Sequence, residues 1–387
     1  MSAHKVDIVI IGAGIAGLWL FNRLRGMGYD ALLLERDAIG CGQTLASQGI
    51  IHSGLKYAFA GKVNALAKSI SAMPDLWRDA LRGAGAVDLS AADTAVSSQY
   101  LMIPPGMMGD LIALASKKAL GGSVREIERS EWPEHIEQTG FDGTLIYMDE
   151  PVLDVSQIIR ALAEPYKNSI RKIDDRDPFE YMNAHGIEAK SYVVTAAGSN
   201  ADIAKRRGDD AGMKTQARPL LMGMMKHAPY PLYAHLVGAS EKPVATITSH
   251  IAEDGCIVWY LGGGVAEQAK DDDPAKVYKG ARKAFAKYLP QVDLSNVEWA
   301  PLPIDRIESA PSMKGWLPDQ PAIHTCGDVL YCWPTKLTFA PLLSDMVLEH
   351  LERENIKPSN TDHDWSFLPP VDYARAPWDK AIWTKDN

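Results

Sequence analysis

The strongest constraint on the fold of this chain lies in its first 35 residues. Val6–Ile11 is a short, apolar, β-branched run of the kind found in parallel strands buried on both faces. Gly12-Ala13-Gly14-Ile15-Ala16-Gly17 follows at once. Next comes a helical pattern, with Ala16, Leu20, Leu24 and Met27 spaced for one face and glycines at 26 and 28 to end it. A second apolar run, Ala31–Leu34, ends in Glu35. Strand, glycine-rich turn, helix, strand and acid, in that order, form the dinucleotide-binding fingerprint in its required context. Gly12 permits the tight turn, Gly14 lets the backbone approach a pyrophosphate at the helix N-terminus, and Gly17 lets the helix pack closely on the strand. Glu35, 18 residues after the third glycine, is placed to accept hydrogen bonds from ribose hydroxyls. The fingerprint does not choose between FAD and NAD.

Composition narrows the class. The 387 residues are 46% hydrophobic and 23% charged, the balance of an ordinary globular protein with ample core for one large domain or two. A mainly disordered, collagen-like or coiled-coil chain is excluded. With 40 Lys+Arg against 49 Asp+Glu, the net charge is −9, which argues against general nucleic-acid binding. Cys41, Cys256, Cys326 and Cys332 show neither a CxxC pair nor zinc spacing. They read as scattered reduced thiols of a cytoplasmic protein, and no metal site is expected. No apolar stretch reaches the roughly 18 residues of a membrane helix, so any membrane association is expected to be peripheral.

The segment after Glu35 carries the next signal. Residues 42–57 read GQTLASQGIIHSGLKY: small, polar and glycine-rich, then a His-x-Gly-x-Lys-Tyr cluster at His52, Lys56 and Tyr57. This stretch resembles, without a gap, that of the FAD-dependent glycerol-3-phosphate dehydrogenases, within the wider D-amino-acid-oxidase-like (DAO) superfamily. It is also similar to a stretch of the L-2-hydroxyglutarate oxidases. Gly49 matches the second group better, and Lys56, in place of Arg, matches the first. Ser191–Gly198 (SYVVTAAG) is similar to the superfamily's "VVxAAG", where the chain returns to the FAD domain. Thr325-Cys326-Gly327-Asp328 and then Trp333-Pro334-Thr335-Lys336-Leu337-Thr338 resemble the approach to the last FAD-domain helix, with Trp-Pro-Thr in place of glycines.

The resemblance implies an α/β FAD-binding Rossmann-like domain of the glutathione-reductase type, plus an α+β substrate domain with an antiparallel sheet. The FAD-binding domain is expected over 1–85, 145–215 and 315–355. The substrate domain is expected over 86–144 and 216–314, with strands at Pro219–Lys226, Val244–His250 and Cys256–Leu261. Residues 356–387, with three Trp and four Pro, are expected to form an irregular C-terminal arm. Contacts to FAD are implied for Gly12, Gly14, Gly17, Glu35, Arg36, Thr44, Ser47, Gln48, Gly49, Ala197, Gly198, Gly327, Asp328, Lys336, Leu337 and Thr338.

The expected chemistry is hydride removal from a CH–OH carbon of a small phosphorylated or carboxylated substrate. Histidine, whose unperturbed imidazole exchanges its proton near neutrality, suits the role of proton acceptor at position 52. Lys56, Tyr57 and Arg306 would hold the anion, Arg by its two-pronged fork. Arg306 also has Asp305 and Glu308 beside it as alternative partners, and His235 and His250 read as structural. The electron acceptor is open between oxygen and a quinone or carrier. Three other readings stay open: an amine or amino-acid oxidase of the same superfamily, an FAD enzyme modifying an amino-acid group on a macromolecule, and a non-catalytic flavoprotein.

Overall fold

A computed structural model describes residues 4–53, 70–106, 124–174, 177–239, 242–267, 273–310, 320–334 and 336–385. Two sheets dominate it. The first has six strands: β1 (His4–Ile11), β2 (Ala31–Glu35), β8 (Ile170–Lys172), β9 (Ile187–Val194), β15 (Ala322–Cys326) and β16 (Val329–Trp333). Their order is β15-β16-β9-β1-β2-β8, parallel throughout except for the β15–β16 hairpin.

The apolar runs read from the sequence are buried on both faces of this sheet. Ile8 and Ile10 pack with helix α1 (Ile15–Gly26), while Val9 and Ile11 pack with Leu32, Leu34 and Tyr331 on the other side. Helices α2 (Met73–Leu81), α3 (Val155–Ala163) and α5 (Ala340–Arg353) add to the first of these cores. Asp154 caps α3, accepting from the amides of Ser156 and Gln157, as an N-cap carboxylate does.

The second sheet has eight strands: β4 (Gln99–Ile103), β5 (Val124–Ile127), β6 (Thr144–Met148), β10 (Thr215–Lys226), β11 (Ala234–Leu236), β12 (Ala245–Ile251), β13 (Ile257–Gly262) and β14 (Glu298–Ser309). The order is β14-β10-β13-β12-β11-β4-β6-β5, antiparallel except between β11 and β4. Helix α4 (Pro274–Tyr288) covers one face, with Val277, Ala281 and Phe285 against Leu221, Trp259 and Leu261. A small ribbon pairs β3 (Thr94–Val96) with β7 (Val152–Leu153).

Two expected boundaries move. Residues 145–148 lie in β6, and so in the eight-stranded sheet, because Gln99 to Ile103 pair with Met148 to Thr144. Val87, Leu89 and Ala92 pack into the core built on α1 and α2. No change of composition marks either point; strand pairing fixes the first and core packing the second. Residues 356–385 follow both sheets in turn. Trp365 and Leu368 are buried, Pro370 bridges to Arg171 and Tyr373 to Ile39, and Thr384 bridges to Trp299.

Candidate active site

The glycine turn is fixed by close approaches. Gly12 has φ +105°, and a Cβ there would lie 2.9 Å from the Thr195 carbonyl carbon and oxygen. A Cβ on Gly17 would lie 2.0 Å from the Gly12 carbonyl oxygen and 2.7 Å from Thr195 Oγ1. Only glycine lets α1 press this closely on the turn. Thr195, just past β9, donates its hydroxyl to the Gly12 carbonyl at 2.9 Å. Beside Gly14 stands Thr44, whose Oγ1 accepts the Ile15 amide at 3.0 Å. A Cβ on Gly14 would come within 3.0 Å of that oxygen.

Glu35 closes the turn. Its carboxylate accepts the Ala13 amide at 2.6 Å and the Asp37 amide at 2.8 Å. Burial raises its pKa, and these two amides oppose the rise. An acid at the end of β2, oriented over the glycines, is what a dinucleotide's ribose requires. Thus the turn, the helix start and the acid fit an FAD. Burial and the Glu35 charge push the nearby Cys41 thiol up to about 11, so it stays a thiol at neutral pH. Arg36 points outward, with Nη2 3.1 Å from Asp37.

The segment that follows ties the two sheets together. Ser47 Oγ donates to the Thr44 carbonyl at 2.8 Å. The Gln48 amide donates to the carbonyls of Thr246 and Tyr260, each at 3.1 Å, and Tyr260 Oη donates to the Ala46 carbonyl at 2.7 Å. Gln48, expected on the flavin, thus has its Nε2 engaged with the eight-stranded sheet. Gly49 has φ +71°, and a Cβ there would meet the Leu153 carbonyl oxygen at 2.5 Å. The chain then runs antiparallel to 150–153. Leu153 N donates to Gly49 O and Ile51 N to Pro151 O, each at 2.9 Å.

This pairing sets His52 and Ser53 opposite Glu150. His52 Nδ1 lies 3.3 Å from Glu150 Oε2, while Ser53 N and Oγ both donate to Oε1 at 2.7 Å. The His52 side chain is 45% exposed, whereas Glu150 is 3% exposed. Burial alone would raise the Glu150 pKa. The His52 hydrogen bond and charge, with the Ser53 donors, reverse that and hold it at about 2. Sequence reasoning missed Glu150, because only the 49–53/150–153 pairing brings it to His52. Lys56 and Tyr57 lie outside the described residues.

The second cluster comes to the same place. Thr338 Oγ1 donates to the Ile50 carbonyl at 3.2 Å, and the buried Trp77 indole donates to the Thr338 carbonyl at 3.0 Å. Leu337–Phe339 form a 3₁₀ turn that leads into α5, with Lys336 extended just before it. The Lys336 ammonium stands 5.7 Å from the Phe339 ring centroid.

Gly327 and Asp328 are corrected. They form the β15–β16 hairpin turn, with Gly327 at φ +58°. Tyr331 pairs with Val194, which continues to Ile11. Gly327 is four residues before Tyr331, so it sits about 13 Å down the sheet from the glycine turn, toward the amino ends of the parallel strands. Cofactors of open α/β sheets bind at the carboxyl ends. The Gly-Asp pair looked like a cofactor turn but is a hairpin reversal.

Ala197 and Gly198 do lie at the carboxyl end of β9. Ala197 has φ +48°, and a Cβ on Gly198 would be 3.3 Å from Ile307 Cγ1. Beside Ile307, Arg306 pairs across the strands with Arg218. Both guanidinium groups reach Glu308, Arg306 at 3.0 Å and Arg218 at 3.5 Å, and Glu308 is buried. Arg306 is thus shared with a carboxylate rather than committed to a ligand. His235 and His250 are buried on the sheet, as expected for structural groups. His235 Nδ1 is 2.9 Å from Thr246 Oγ1, and the His250 ring stacks on Trp378 at 4.0 Å between centroids.

Among the described residues no helix is long and apolar enough to cross a membrane. The described cysteines are all free.

Comparison with known proteins agrees with this geometry. The FAD dependent oxidoreductase family (DAO) matches residues 7–327. The probable FAD-dependent oxidoreductase PA4991 of Pseudomonas aeruginosa is 38% identical over 368 residues, covering 92% of this chain and 93% of that protein. Its crystal structure superposes with a TM-score of 0.83 at 34% identity, over 98% of this chain and 99% of that one. Glycine oxidase from Geobacillus kaustophilus (TM-score 0.58, 16% identity, covering 90% and 95%) shares the fold. So does L-α-glycerophosphate oxidase from Mycoplasma pneumoniae (TM-score 0.60, 13% identity, covering 94% and 100%). With a family match over most of its length and a relative this similar end to end, the chain belongs to the DAO family of FAD-dependent oxidoreductases.

Proposed function

We propose that this enzyme oxidises a CH–OH carbon of a small anionic substrate, with His52 as the base. The observation that carries this reading is the position of His52. It lies two residues beyond the carbonyl that Thr338 holds, with nearly half its side chain open and one ring nitrogen against Glu150. FAD, when bound, supplies the acceptor for the hydride that leaves the alcohol carbon. The hydroxyl proton passes to His52, so the substrate loses two electrons and two protons and leaves as a carbonyl compound. Arg306, with Lys56 and Tyr57, is the group proposed to hold the anionic end, where charge-assisted hydrogen bonds are strongest. The fold shared with a glycerophosphate oxidase supports the class of flavoenzyme, and the fold shared with a glycine oxidase gives the competing class, amine oxidation.

The test is anaerobic mixing of the holoenzyme with hydroxy acids, sugar phosphates including sn-glycerol 3-phosphate, and amino acids, watching the flavin bleach. A hydroxylated anion should bleach it. His52→Ala should slow that bleaching by roughly 10²- to 10⁴-fold with the visible spectrum unchanged. Bleaching by an amino acid alone, at equal rates in wild type and His52→Ala, would replace this reading with amine oxidation.

A further inference from the structure

The carboxylate facing His52 has more constraint than an ordinary ion pair. Ser53 gives Oε1 two donors, its amide and its hydroxyl. Oε2 is left facing His52 Nδ1. The backbone around Glu150 is held as well. Gln99 Nε2 reaches the Glu150 carbonyl at 3.4 Å, and Arg78 donates to the Asp149 carbonyl at 3.0 Å and to its carboxylate at 2.5 Å. An ionised carboxylate accepts hydrogen bonds and cannot donate them. Nδ1 must therefore carry the hydrogen in this pair, and the lone pair of the neutral ring is left on Nε2, at the opposite edge.

We propose that Glu150 is the positioning residue of His52: it fixes the Nδ1–H tautomer, aims Nε2 away from the protein, and stabilises the imidazolium that forms when Nε2 takes a proton. Glu150 does not meet the substrate, so it acts through His52. The inference rests on the reading of His52 as the base. Because Glu150 stays ionised far below neutrality, a titration between pH 5 and 9 reports the imidazole. Asp149, the residue before Glu150, is paired with Arg78.

The test uses the FAD-bound enzyme with ¹⁵N-labelled histidine and needs no substrate. The His52 ring signals are identified by their loss in His52→Ala. The wild type should show the neutral Nδ1–H tautomer. In Glu150→Gln the His52 midpoint should fall by about one pH unit, a roughly tenfold weaker hold on the proton, because the facing charge is gone. An Nε2–H tautomer in the wild type overturns the inference, and this measurement stands even if Glu150→Gln does not fold. A Glu150→Gln enzyme with normal flavin and an unchanged midpoint overturns it too. Failure of the base reading is seen separately, as a His52→Ala enzyme that bleaches at the wild-type rate.

Discussion

Thr338 donates its hydroxyl to the carbonyl of Ile50, 288 residues earlier in the chain, at 3.2 Å. The bond joins the turn before α5 to the segment that carries His52, and Trp77 secures it from behind through the Thr338 carbonyl. Two clusters far apart in sequence are thereby one wall. Thr338→Val keeps the shape and removes the donor, leaving a buried carbonyl short of a partner. The expected loss is about 1–3 kcal/mol. Because the bond links the two sides of the proposed flavin edge, part of that loss should appear as weaker FAD binding, read by fluorescence titration of the apoprotein. An unchanged affinity would place this wall away from the flavin.

Gly17 and Gly26 occupy the same helix and should respond in opposite directions. A Cβ at Gly17 meets the Gly12 carbonyl oxygen at 2.0 Å, whereas at Gly26 the nearest atom is the Tyr166 hydroxyl at 3.8 Å. Gly17→Ala should cost about 3 kcal/mol by overpacking and yield protein with little bound FAD. Gly26→Ala should gain roughly 0.5 kcal/mol by restricting the unfolded chain. Urea midpoints and flavin-to-protein ratios of the two variants check the pair.

Acid should expose Glu150. Its pKa in the folded chain is about 2, against 4.5 for the ordinary group. A depressed carboxylate stabilises the fold above its unfolded pKa, and that contribution fades as pH falls from 4.5 toward 2. The full contribution is on the order of 3 kcal/mol. Between pH 6 and pH 3.5 the wild type should lose about 1 kcal/mol more than Glu150→Gln, measured by urea unfolding at each pH. Equal losses in the two proteins would show that Glu150 is not held ionised.

The shared Glu308 sets the expectation for Arg306. Arg306→Ala should leave flavin content intact and raise KM for an anionic substrate by roughly 10- to 150-fold, the loss of one charge-assisted hydrogen bond. Arg306→Lys should recover little of it, since an ammonium cannot reproduce the planar fork that now reaches Glu308. A KM unmoved by Arg306→Ala would leave this arginine as a partner of Glu308 within β14, with Arg218 as the tie from β10.

The first 35 residues announced their structure because each requirement is local: a buried strand, a tight turn, a close helix and an acid follow one another without interruption. The strands at 219–226, 244–250 and 256–261 were readable as apolar runs between turns; the first lies within β10, and the other two match β12 and β13 to within one residue at each end. The pairing of strands was not readable. Glu150 is an unremarkable acid in sequence, and it reaches His52 only because the chain at 49–53 lies antiparallel to 150–153. Gly327-Asp328 shows the opposite error. A residue pair has the same composition at either end of a strand, and only the direction of the strand says which end faces the cofactor. Arg306 was read together with its alternative partner Glu308, and the contact between them is present.

The interleaving of the two sheets has a consequence for engineering. β4 and β6 of the eight-stranded sheet fall between β2 and β8 of the other, and β10 to β14 fall between β9 and β15. No single stretch of gene encodes either half. A recombinant exchange of the eight-stranded sheet with that of a relative would have to transplant two separate inserts together. The joint strand pair β11–β4, which is parallel and joins one insert to the other, is the seam that a one-insert chimaera would leave mismatched.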